Sequence, residues 1–127
     1  MISDYLQQVK ALILGNPYVL HLEIVREEIF EDRGFYRFRL HLSDNSLMEM
    51  FEYAAVQDND IQIQKYSFHW QDEHGQLRAR WDNAAHHPEI ATHPYHVHKG
   101  DEENVTNSEP MTAEKVLSAI TERLAQR

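Results

Sequence analysis

FYRFRLHL, residues 35–42, decides how this chain folds. Tyr36, Phe38, Leu40 and Leu42 alternate with Arg37, Arg39 and His41, and a period of two places the apolar set on one face of a strand and the cations on the other. Upstream, YVLHLEIVREEIF (18–30) alternates in the same way and runs into the hairpin signal Glu31-Asp32-Arg33-Gly34. Downstream, a turn at residues 43–46 leads into LMEMFEYAAV. A polar loop at 57–60 then introduces IQIQKYSFHWQ, in which Tyr66, Phe68 and Trp70 oppose Lys65, Ser67 and His69. A last turn at 72–75 opens LRARWDN, where Leu77, Ala79 and Trp81 oppose Arg78, Arg80 and Asp82. Turns this short join antiparallel neighbours, because parallel pairing needs long crossovers.

Helical spacing flanks the strands. Ile2, Tyr5, Leu6, Val9, Leu12 and Ile13 recur at three and four before Gly15-Asn16-Pro17, and Val116, Leu117, Ile120 and Leu124 do so after an N-cap at Thr112. The expected fold is therefore α+β: a five-stranded antiparallel meander with the N-terminal and C-terminal helices on its apolar face, in one domain over residues 1–127. Residues 84–110, with Pro88, Pro94 and Pro110, read as an irregular loop of functional rather than structural character.

Composition narrows the function. The chain has 127 residues, 12 basic against 21 acidic side chains and no cysteine, which excludes disulfides and thiolate–zinc sites and opposes non-specific coating of nucleic acid. No apolar run nears the roughly 20 residues of a membrane span, so the expectation is a cytoplasmic protein with no membrane contact. The acids lie early and late, whereas residues 34–42 hold two arginines and no acid.

Seven of the nine histidines fall between Phe68 and Gly100: His69, His74, His86, His87, His93, His96 and His98. Imidazole titrates near neutrality and is a common metal ligand, so proton transfer, metal binding and plain loop packing are all open. His96 and His98, alternate residues of an extended segment, point to one side and form a candidate zinc or other divalent transition-metal pair. A third ligand would come from His86, Asp82 or Glu89. The other constellation needs no cofactor. RNA cleavage requires a base, an acid and a cation for the charge growing on phosphorus. His86 and His87 are the candidate proton carriers, Arg80, Arg78 and Arg39 the phosphate ligands, and Asp82 the residue orienting an imidazole. Trp81 and Tyr95 are candidate base-stacking groups. The structural alternatives are that Arg37 and Arg39 only solvate the outer face and pair with Glu49 and Glu52 on the next strand, that Trp81 is core, and that Asp82 caps the following loop.

The run from Tyr66 through Gln71-Asp72, then Leu77 to Ala84, His86-His87-Pro-Glu89, and Pro94, His96 and His98, resembles the TumE-type toxins of prokaryotic toxin–antitoxin modules. Ser108-Glu109-Pro110-Met111 before the closing helix is similar too, and the order of elements matches over nearly the whole chain; Ala85, Tyr95 and Val97 depart from the pattern. The resemblance implies a growth-inhibiting toxin encoded beside a helix-turn-helix antitoxin. Joined to the chemistry above, it gives the expectation of a metal-independent ribonuclease. Two other classes remain: a non-enzymatic module that binds its antitoxin through the first strand or acidic tail, and a metal-dependent hydrolase or nucleotidyltransferase using HPYHVH. The edges of an open sheet leave room for a homodimer.

Overall fold

A computed structural model describes residues 1–85 and 87–126. Helix α1 (Ile2–Leu14) is followed by strands β1 (Val19–Ile29), β2 (Arg33–Leu42), β3 (Leu47–Gln57), β4 (Asp60–Gln71), β5 (Leu77–Asp82), β6 (His96–Lys99) and β7 (Val105–Asn107), and helix α2 (Ala113–Ala125) closes the chain. The strands form one sheet in sequence order, every neighbouring pair antiparallel. The α+β class and the antiparallel meander hold, but the sheet has seven strands where the sequence reading gave five. β6 and β7 lie inside the stretch read as irregular. At 4 and 3 residues they are too short for a period to register, and they owe their place to their neighbours, β6 pairing with β5 and β7 with β6, rather than to local pattern.

Alternation in β2 is as the sequence dictates: Gly34, Tyr36, Phe38, Leu40 and Leu42 are buried, while Arg37 and His41 are exposed. With Met48, Met50, Phe68 and Trp70 from β3 and β4 they form the floor of the core. Ile2, Leu6, Val9 and Ile13 of α1 and Val116, Leu117, Ile120 and Leu124 of α2 make its roof. Thr112 accepts the Lys115 N–H at 3.1 Å and caps α2, satisfying a donor that the first helical turn leaves over. At the other end of the core, Gly34 is irreplaceable by contact: a Cβ there would stand 2.7 Å from Ile2 Cγ2 and 2.8 Å from the Glu28 carbonyl oxygen.

One acid sits on the core side. Glu52 is fully buried and accepts the hydroxyls of Tyr5 (2.8 Å) and Tyr36 (2.5 Å) through Oε1. It therefore does not serve as partner to Arg37 or Arg39; Glu49, on the opposite face, lies 3.7 Å from both. Burial raises the Glu52 carboxyl, and the two tyrosine donors oppose only part of the rise.

Candidate functional site

Cross-strand register sets the polar face. Reading from β2 to β6, Arg39, Glu49, His69, Arg80 and His98 form one row, and Arg37, Phe51, Ser67, Asp82 and His96 the next. The helices cover the opposite face, so these rows look outward everywhere except at the β5–β6 end.

There the segment after β5 folds back and buries them. His96 is 1% and His98 2% exposed, and the His87 ring comes over both, with centroids 5.1 and 5.7 Å away and all contacts edge-on. The His96 and His98 rings lie 4.9 Å apart. Asp82, also buried, is the hub: Oδ1 accepts the Ala84 N–H at 3.0 Å and lies 2.9 Å from His96 Nε2. Its Oδ2 lies 3.3 Å from Arg80 Nε and 3.7 Å from His98 Nε2. Asp82 thus closes the strand end and faces imidazole with the same carboxylate.

Each imidazole has its Nδ1 on an oxygen. His96 Nδ1 is 2.9 Å from the Pro94 carbonyl, His98 Nδ1 is 2.7 Å from the Glu102 carbonyl, and His87 Nδ1 is 3.1 Å from Glu89 Oε1. A carbonyl can only accept, so Nδ1 of His96 and His98 carries the proton and Nε2 faces the cluster. At His98 the Arg80 Nη2, always a donor, stands 3.3 Å from Nε2 and fits the neutral tautomer. Burial lowers the His98 pKa, and the charge on Arg80 adds to the effect.

Arg80 is held outward by Glu102, whose two oxygens meet Nη1 and Nη2 at 2.8 and 2.7 Å. A guanidinium meets carboxylates and phosphates alike in this fork-on-fork geometry, and Glu102 is half exposed. Beyond Arg80 a cleft of about 360 Å³ runs past Asp82, Ser67, Lys65 and Arg37 to Phe51. It continues into a second, of about 450 Å³, walled by Phe35, Phe51 and Tyr53. Arg37 lies 4.9 Å over the Phe51 ring and Arg26 5.2 Å over Phe35.

Of the residues singled out in the sequence, Arg80, Asp82, His87, His96 and His98 come together; His86 lies outside the described residues. Arg39 is on the same face but three strands from Arg80, between Glu23 and Glu49. Arg78 lies apart. A register shift where β4 meets β5 breaks the alternation, and its guanidinium rests 5.2 Å over Trp70, bonded to Asp44 at 2.6 Å. Trp81 pairs with Phe68 and packs against the core, and Tyr95 stacks on Tyr66 with rings 6.4 Å apart. Glu89 meets His87 rather than the cluster's centre. The wall of Phe35, Phe51 and Tyr53 escaped notice, although the signal was present: three aromatic residues on the polar phase of β2 and β3. Glu102 carried no signal, because it reaches Arg80 from 22 residues away.

An open antiparallel sheet, with helices on one face and a cluster of buried imidazoles and carboxylate against a guanidinium at one end of the other, defines a small α+β protein. The TumE toxin model matches residues 9–127, and the chain belongs to that family. It is thus the toxin component of a toxin–antitoxin pair, with an antitoxin as its partner. No curated protein and no solved structure matches the chain. Among the described residues no helix is long and apolar enough to cross a membrane.

Proposed function

We propose that this toxin acts by cleaving single-stranded RNA, with the scissile phosphate on Arg80 and the bases along the cleft toward Phe51. The observation that carries the reading is the forked Arg80 guanidinium, which meets the His98 imidazole beneath it and lines a cation-rimmed groove that runs to Phe51. Arg80 exchanges Glu102 for phosphate oxygens and meets the charge that builds on phosphorus. His87, half-buried over the two buried rings, exchanges protons with the 2′-hydroxyl or the leaving oxygen; His86, beside it in sequence, is its expected counterpart. His96 and His98 stay beneath, too buried to touch substrate, and Asp82 positions them. Phe51 and Phe35 offer ring faces to unpaired bases, and Arg37 and Lys65 accompany the backbone. In this form the chemistry needs no metal.

The test is cleavage of a labelled single-stranded RNA by purified toxin in chelator. Arg80→Ala and His87→Ala abolish turnover with the fold intact by circular dichroism. Phe51→Ala weakens RNA binding by about 1–3 kcal/mol, the worth of one stacked base. Full activity in both Arg80→Ala and His87→Ala removes the reading.

A second reading concerns the antitoxin. β1 is a long edge strand, and Leu20, Ile24, Val25, Ile29 and Phe30 on or next to it are exposed. Free strand edges invite a partner strand, so this is where a helix-turn-helix antitoxin or a second copy of the chain would dock.

A further inference from the structure

We propose that the toxin binds one divalent transition-metal ion of the zinc class through Nε2 of His87, His96 and His98, with the Asp82 carboxylate as fourth ligand. One ligand atom from each of the three histidines lies within 4.8 Å of the other two. Tetrahedral zinc with nitrogen at about 2.0–2.1 Å brings its ligands to about 3.4 Å from one another, so the site closes by small side-chain movements. Asp82 flanks two of the three, its Oδ1 and Oδ2 at 2.9 and 3.7 Å from the Nε2 atoms of His96 and His98, and the fourth position is the one its carboxylate would take.

Three further features favour an ion over plain packing. Every Nδ1 is engaged by oxygen: the Pro94 and Glu102 carbonyls and the Glu89 carboxylate. That outer bonding fixes ring orientation and presents Nε2 inward, as ligating histidines require. Two of the rings are almost wholly buried and already face a carboxylate through Nε2, so nitrogen and oxygen donors share one enclosed space. The third comes from a different stretch of chain, so an ion ties residues 83–95 to β5 and β6. Three nitrogens and one oxygen without sulfur suit zinc and its first-row neighbours, whereas calcium and magnesium favour all-oxygen shells. Arg80 Nη2, now 3.3 Å from His98 Nε2, yields that position and keeps its two bonds to Glu102.

The proposal does not rest on the ribonuclease reading but meets it at one point. An Nε2 that holds a metal cannot carry a proton, so zinc loading lowers any cleavage in which His87 is the proton carrier. Chelator-treated full-length toxin titrated with zinc chloride should bind one ion per chain, unfold at a higher temperature, and give four-coordinate visible bands with cobalt(II). His87→Ala and His98→Gln should weaken zinc binding by at least about 100-fold, while His41→Ala leaves it unchanged. His87→Ala alters a half-buried loop residue and keeps the test valid should His98→Gln misfold. Absence of saturable zinc binding and of a thermal shift, or wild-type affinity in His87→Ala, overturns the proposal. Cleavage without zinc binding removes this site and leaves the ribonuclease; zinc binding without cleavage does the reverse.

Discussion

Replacing Arg78 by alanine will cost stability and, under the ribonuclease function proposed above, spare RNA binding. The guanidinium meets Asp44 at 2.6 Å with side-chain exposures of 19% and 5%, so water screens the pair little. Burial pushes the Asp44 carboxyl up, but bonds from Ser46 and Arg78 outweigh it and hold the group at about 2 rather than 3.8. That difference is worth about 2 kcal/mol in all, of which Ser46 supplies a share and Arg78 about 1. Loss of the cation from the Trp70 face adds about 0.5–1 kcal/mol. Arg78→Ala should therefore lose about 1.5–2 kcal/mol at pH 7, or roughly 6 °C in Tm for a domain of this size. Because the folded carboxyl is depressed, its stabilisation is present above the unfolded value of 3.8 and fades as pH falls toward 2. Urea unfolding at pH 7 and pH 2 measures this, and the gap between variant and wild type should shrink to the stacking part at the lower pH. A variant that keeps full stability but loses affinity for RNA would refute the assignment and return Arg78 to the substrate.

Glu52→Gln should raise stability at pH 7 by about 1 kcal/mol, since Oε2 has no hydrogen-bond partner among the described residues and an amide removes a buried charge. The raised folded pKa means that wild type is most stable below the usual glutamate value of 4.5 and loses stability as pH climbs. The gain should thus disappear in denaturant titrations near pH 4. Gly34→Ala should destabilise by about 1–3 kcal/mol, because the new methyl meets a backbone carbonyl that cannot retreat. Tm unchanged in that variant would mean α1 does not seat on the β1–β2 hairpin as described.

How much was legible in the sequence depends on what each residue answers to. The strands β1 to β5 and both helices were readable because each buries one face, and burial imposes a period on the chain that carries it. Arg80 with Asp82, and His96 with His98, were readable as same-side pairs for the same reason. The two short strands were not, since their pairing comes from a neighbour rather than from pattern. Arg78 misled because one register shift between β4 and β5 turns a side chain to the other face, and nothing local announces it.

Local order alone determined the five long strands, both helices and the supply of imidazoles, guanidinium and carboxylate. Folding in three dimensions decided which of them meet. Loop closure brought His87 over two rings about ten residues away and Glu102 onto an arginine 22 residues earlier. The free energy for those encounters comes from burial and cross-strand bonding elsewhere in the chain, so no window of sequence around the site could have encoded them.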